Sequence, residues 1–196
     1  IRSQVLYPIE LQAHATRRDS TTPAPGSQGL AFLWTSEPGT YHESPIPMEP
    51  FVHLHVHTEY SLLDGANRIP DLVRAAVEDG HDSLAITDHG NLFGSLEFYK
   101  ECRKAGIKPI LGCEVYVAMK SMREKHPRQE NPYTHLTLLA RDAEGWRNLH
   151  QLSSAAHLEG NGFRPRVDLD FIAGKPAGIP CLSGCMSGPV NRHLMR

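Results

Sequence analysis

Strand-like and helix-like patterns alternate along the chain from Phe51 onward. Apolar residues recur at a period of two in some runs and at helical spacing in the runs between them. The resulting order, βαβαββαβ, predicts an α/β fold with parallel strands. The predicted strands cover 51–57, 83–87, 110–117, 136–140 and 179–182, and the predicted helices cover 69–80, 92–104, a segment after Asp142, and a last helix from Pro189.

The first fifty residues lack this periodicity. They contain seven of the 15 prolines and a Ser/Thr/Pro/Gly stretch over 20–29, a composition typical of disorder. The chain begins with Ile1 instead of Met, and Met48 lies just before the first predicted strand. We therefore expect residues 1–47 to be a disordered or non-native extension, and residues 48–196 to form the folded domain.

Composition and charge exclude several classes of protein. The 22 acidic and 20 basic side chains leave a formal net charge of -2, which excludes a strongly basic protein that coats nucleic acid. No run approaches the roughly 18 consecutive apolar residues of a membrane helix, and the start does not resemble a signal peptide. Four cysteines without CxxC pairs fit a reducing compartment. We expect a soluble, cytoplasmic protein.

Side chains that can bind metal ions follow the predicted strands. His55 and His57 end the first strand, His89 follows the second, Glu114 lies near the end of the third, and Cys185 follows the last. The carboxyl ends of strands in α/β folds share one rim, so these side chains are expected to converge there. Imidazole, carboxylate and thiolate ligands together suit Zn²⁺ or Mn²⁺ better than Ca²⁺.

The remaining polar residues are less specific. A single HxH pair is as consistent with packing as with metal binding, but three aligned histidines each need a partner for a polar nitrogen. His53 is assigned to structural or supporting hydrogen bonds, and Asp88 either orients a ligand or caps the next helix. Asp64 lies in the loop after the first strand. His135 precedes its apolar run, so it fits the shared rim less well. The other cysteines, Cys102, Cys113 and Cys181, are expected in the core.

Five stretches of the chain, 51–66, 84–94, 106–117, 135–140 and 182–188, carry a family resemblance. Together they resemble the amino-terminal PHP (polymerase and histidinol phosphatase) domain of bacterial DNA polymerase III alpha subunits, over about residues 50–196. The resemblance implies a distorted β/α barrel. Because a closed barrel takes about 250 residues, the barrel is expected to be incomplete at the C-terminus.

The resemblance also implies a set of metal ligands for up to three divalent ions. By position in the family motifs these are His55, His57, Asp64, His89, Glu114, His135 and Cys185. The remaining ligands of the family, in an Asp-x-His motif, are expected beyond Arg196.

The implied function is that of a metal-dependent phosphoesterase, which acts in some family members as a 3′→5′ exonuclease. The parent protein is expected to synthesise DNA on a template, using Mg²⁺ in a later domain that this chain lacks, with DNA, a sliding clamp and a proofreading subunit as partners. Two alternatives remain open. One is a stand-alone phosphatase of the histidinol-phosphate type, and the other is a non-catalytic structural PHP module.

Overall fold

The computed structural model describes residues 51–125, 133–160, 162–184 and 186–195. The predicted extension over residues 1–47 lies outside them and stays a prediction. Within the described ranges, none of the helices has both the length and the apolar character needed to cross a bilayer.

Five helices and five strands make up the described fold. The helices are α1 (Ile69–Glu78), α2 (Ser95–Ala105), α3 (Ala143–Leu158), α4 (Leu169–Ala173) and α5 (Pro189–Leu194). The strands are β1 (Ser83–Ile86), β2 (Lys108–Ala118), β3 (Tyr133–Leu139), β4 (Arg166–Val167) and β5 (Cys181–Leu182). The short elements α4 and β4 were not predicted, and α2 begins three residues later than its apolar pattern indicates.

The sheet is mixed and, among the described residues, open. The long strand β2 pairs in parallel with β1 and β4 and antiparallel with β3, which in turn pairs antiparallel with β5. The prediction of parallel strands is therefore right for β1 and β2 and wrong for β3 and β5, and the parallel strand β4 was not predicted. No helix is assigned among the described residues between β2 and β3, and a strand that returns without a crossover helix pairs antiparallel. A closed barrel is not confirmed.

The predicted strand over 51–57 is not part of a regular ladder, and the chain bends at His55. The N–H of Ala85 donates to the carbonyl of His53 at 3.0 Å, and the N–H of Thr87 donates to the carbonyl of Val56 at 2.7 Å. The N–H of Val56, however, donates to Oγ1 of Thr87 at 2.9 Å. A side chain therefore takes the place of a backbone acceptor, and the segment follows β1 without forming a full strand.

Side chains alternate between the two faces of the sheet along β2 and β3, which separates the core residues from those of the site. Cys113, Val115, Val117, Leu136 and Leu138 are buried on one face, where they pack with apolar residues of α3. Residues paired across an antiparallel ladder project to the same face. Glu114 is paired with Thr137, and Tyr116 with His135, so these four side chains share the opposite face of the sheet.

The ends of three helices carry the residues that the sequence predicts there. Pro70 lies in the first turn of α1, and Gly106 ends α2 with a left-handed φ of 81°, the conformation in which glycine is least strained. Asp142 caps α3 by accepting the N–H of Gly145 at 2.9 Å. The caps hold the loops that lead into and out of the sheet in fixed positions.

Candidate metal centre

The centre is built around the buried carboxylate of Glu114, which is 3% exposed. Its Oε2 contacts Nε2 of His55 and lies 3.1 Å from Nε2 of His57. Its Oε1 contacts Nδ1 of His135 and lies 3.4 Å from Nδ1 of His89. Each carboxylate oxygen thus faces two imidazole nitrogens.

Backbone pairing places these side chains together. A parallel bridge joins His89 to Glu114, so the residue that follows β1 lies directly beside the middle of β2. His135 is near the start of β3, and because β3 runs antiparallel to β2, the start of β3 lies near the carboxyl end of β2. The antiparallel direction therefore explains how a residue that precedes its apolar run reaches the same rim.

Two groups of ligand atoms result. One consists of His55, His57 and Glu114, and the other of His89, Glu114 and His135; within each group the ligand atoms lie within 4.8 Å of one another. The Nδ1 atom of His89 is buried and has no hydrogen-bond partner. Imidazole and carboxylate donors with such an unsatisfied nitrogen fit a divalent transition-metal ion.

The electrostatics keep these donors in the states that a cation requires. Burial would raise the pKa of Glu114, but the hydrogen bonds from His135 and His55 outweigh it and hold that pKa well below its usual range. Burial lowers the pKa of His89, and neighbouring His57 lowers it further, against the opposing effects of Glu114 and Asp64. An ionised carboxylate and a neutral imidazole are the forms that bind metal.

The two predicted aspartates occupy different places. Oδ2 of Asp64 lies 3.1 Å from Nε2 of His89, on the side of the ring away from Glu114, and its side chain is 59% exposed. Asp64 belongs to neither group of three. Asp88 is 2% exposed and accepts hydrogen bonds from the Thr58 N–H, the Thr58 hydroxyl and the Ser61 hydroxyl, each at 2.7 Å.

The other predicted residues lie as follows. The ring of His53 packs edge-on against the ring of His81, with 5.1 Å between centroids, so its supporting role stays a prediction. Cys185 lies outside the described residues. Cys102 and Cys113 are buried, as predicted, and burial raises the pKa of the Cys102 thiol to about 12. Cys181 is exposed, contrary to prediction, because β5 is a two-residue strand paired only with β3 among the described strands.

Sequence reasoning missed two residues beside the centre. Tyr116 packs against His89 and His135, with ring centroids 6.0 and 5.2 Å away, and burial raises the pKa of its phenol to about 12. Its position two residues after Glu114 on one strand face is a signal that could have found it. Ser61 contacts both His57 and His89, and nothing in a loop sequence marks a serine for such a role.

Gly90 is required for Tyr116 to approach. Its φ is 64°, and an added Cβ would lie 2.8 Å from Cε2 of Tyr116. A side chain here would push the tyrosine ring away from His89 and strain the backbone.

The fold and the site together define a family. The sequence model of the PHP domain matches residues 53–196, and the chain belongs to the PHP domain family. The chain is 51% identical over 148 residues to a protein of Treponema pallidum named DNA polymerase III subunit alpha, and 45% identical over 147 residues to a protein of the same name from Borreliella burgdorferi. The resemblance predicted from the sequence motifs is confirmed.

The similarity covers only part of those relatives. In each case it includes 74% of this chain and 13% of the relative, so the chain spans about an eighth of their length. Among solved structures, an amidohydrolase from Chromobacterium violaceum matches with a TM-score of 0.37 and 22% identity, over 53% of this chain and 34% of that one. That likeness is too low to carry an argument.

Proposed function

We propose that the chain is a metal-dependent phosphoesterase module that holds Zn²⁺ or Mn²⁺ and hydrolyses phosphodiester bonds. The observation that carries the proposal is the sharing of one buried carboxylate, Glu114, between two groups of imidazole ligands. A carboxylate shared in this way is suited to holding two cations side by side, the arrangement used by many enzymes that cleave phosphate esters.

The residues of the chain prepare the site for such chemistry. Glu114 offers one oxygen to each ligand group, and the imidazoles of His135 and His55 stabilise it in the ionised form. Tyr116 packs against His89 and His135 on one side of the centre. When bound, divalent cations supply the Lewis acid that neutralises phosphoryl oxygens and lowers the pKa of a water molecule.

The relatives support a more specific proposal. In a parent protein of the DNA polymerase III alpha kind, we infer that this domain acts on DNA as a 3′→5′ exonuclease in the cytoplasm during replication. The polymerase reaction, its Mg²⁺ site and the contacts with a sliding clamp and a proofreading subunit belong to the rest of that parent. Asp64 and Cys185 are proposed as further ligands of the centre.

Metal content and hydrolysis test the proposal. The chain is purified, its Zn and Mn are measured, and cleavage of bis(p-nitrophenyl) phosphate and of single-stranded DNA is followed with each metal added. Changing His55→Ala together with His57→Ala should lower metal content and reduce hydrolysis by more than about 100-fold, because loss of ligands costs more than loss of their supporting hydrogen bonds.

A matched control uses two histidines outside the centre. His150→Ala with His157→Ala changes two residues of α3. His157 forms a hydrogen bond with the Ser153 carbonyl, and His150 packs on Trp146. This variant should leave metal content unchanged. Fewer than one bound ion per chain in the unchanged protein would favour the structural-module alternative. Cleavage of p-nitrophenyl phosphate, a monoester, in preference to the diester would favour the stand-alone phosphatase.

A further inference from the structure

A hydrogen-bond chain beneath the centre connects residues that the ligand groups do not include. It runs from Asp88 to the hydroxyl of Ser61 at 2.7 Å, and from that hydroxyl to Nδ1 of His57 at 3.0 Å. The same hydroxyl lies 3.1 Å from the backbone N–H of His89. Ser61 is 2% exposed, so protein groups account for its hydrogen bonds.

The proton positions along this chain follow from counting donors and acceptors. A carboxylate accepts at both oxygens and donates nothing. The contact between the Ser61 hydroxyl and Oδ1 of Asp88 therefore uses the single hydrogen of that hydroxyl. The same Oδ1 also accepts the N–H of Thr58. The hydroxyl then has only its two lone pairs left, and both must accept.

Two donors use these lone pairs. The backbone N–H of His89 can only donate, and it donates to one of them. The contact between Ser61 and His57 therefore requires a proton on Nδ1 of His57. In a neutral imidazole with Nδ1 protonated, Nε2 carries the lone pair. Nε2 of His57 is the atom that faces Nε2 of His55 and Oε2 of Glu114, each at 3.1 Å.

We propose that Ser61 is a positioning residue, which, oriented by Asp88, fixes His57 in the tautomer that presents its Nε2 lone pair to the centre. The proposal rests on the metal site of the proposed function but concerns only residues of the chain. Because the same hydroxyl holds the backbone of His89, Ser61 also sets the position of a member of the second ligand group. Through its hydrogen bonds, Ser61 therefore connects one histidine of each ligand group to the buried carboxylate of Asp88.

The tautomer can be read directly by NMR. Histidine ¹⁵N spectra of the Zn²⁺-loaded chain should show His57 protonated at Nδ1, with Nε2 left free for the metal ion. In Ser61→Ala, which removes the acceptor, the same spectra should show a mixture of the two tautomers. A wild-type His57 protonated at Nε2 overturns the proposal, and this result is available even if the Ser61→Ala chain fails to fold.

Metal affinity provides the second readout, with Zn²⁺ as the probe in competition with a chromophoric chelator. Ser61→Ala should bind Zn²⁺ about 10- to 100-fold more weakly, the usual cost of losing the partner of a ligating histidine. Ser95→Ala is the matched control, since Ser95 is 3% exposed and its hydroxyl has no hydrogen-bond partner. Equal affinities in the two variants overturn the proposal. A chain that binds Zn²⁺ with the expected tautomer but cleaves no phosphoester disproves the proposed function alone.

Discussion

At the scale of single residues, the chemistry of the centre depends on one carboxylate. Glu114 is buried among four imidazoles, and each of its oxygens faces two of them. A buried carboxylate without partners would be strongly unfavourable, so the histidines stabilise it even without a metal ion. Asp64 differs in both respects, because it is largely exposed and contacts only His89 among the ligand histidines.

This contrast predicts different effects for two conservative changes. Glu114→Gln replaces one oxygen by an NH₂ group, which cannot bind a cation, and removes the negative charge that both ligand groups share, so both groups are impaired. We expect its affinity for Zn²⁺ to fall by more than about 100-fold. Asp64→Asn should lower affinity by less than about 10-fold, because Asp64 lies outside both groups.

Elemental analysis and chelator competition on both variants check this prediction, with the unchanged chain measured in parallel. Asp64 is proposed as one further ligand, whereas both ligand groups share Glu114, so the loss of affinity in Asp64→Asn should be the smaller of the two. Equal losses would therefore contradict the ranking that the geometry supports.

At the scale of secondary-structure elements, the long helices and strands could be predicted from the sequence, but the relative direction of the strands could not. The apolar spacing of Ile69, Leu72, Val73 and Ala76 predicts α1 and its buried face. The period of two along β2 and β3 predicts strands, but it is the same for parallel and antiparallel pairing. The sequence pattern places His135 at the wrong end of its strand for the shared rim. It reaches the rim because β3 runs antiparallel to β2.

The parts that sequence could not predict are short or depend on distant contacts. The two residues of β4 and five of α4 are too few for a periodic signal. All four predicted ligand histidines converge with Glu114, because strand ends meet at a rim in this class of fold. The role of Ser61 depends on Asp88, 27 residues away, and the sequence around Ser61 does not indicate such a distant contact.

The short helix α4 offers a test at this scale. Asp168 caps it by accepting the N–H of Phe171 at 2.9 Å with one oxygen, and accepts the N–H of Met122 at 3.0 Å with the other. Asp168→Ala removes the cap and leaves the Met122 N–H without its acceptor. We expect the free energy of unfolding in urea to fall by about 1 to 2 kcal/mol.

Asp168→Asn keeps one acceptor oxygen and should lose less. Asp170→Ala is the control, because Asp170 is an exposed acidic residue of the same helix that makes no cap. A loss of stability in the control as large as that in Asp168→Ala would show that general charge or helix propensity, and not the two hydrogen bonds, is responsible.

At the scale of the whole molecule, all the residues of the two ligand groups lie between His55 and His135. The prediction that residues 1–47 take no part in the fold leads to a simple expectation. Deleting them should leave the unfolding midpoint and the bound metal unchanged, because the segment lacks the periodicity of a folded element and its composition is typical of disorder.

Thermal unfolding followed by circular dichroism, together with elemental analysis, compares the shortened chain with the full one. The full chain treated with chelator is the control for any contribution of metal to stability. A shortened chain that is unfolded, or that loses metal while folded, would assign residues 1–47 a structural role.

The position of Glu114 in the sheet has a consequence for how long the centre can persist. β2 is 11 residues long and has neighbours along both edges, and Glu114 lies in its middle. Small openings of the surrounding loops leave such a position intact, since only a large, cooperative opening of the sheet can release it. The carboxylate is therefore released only when the sheet itself opens, whereas the exposed Asp64 side chain lies outside the described strands and helices and is not held in this way.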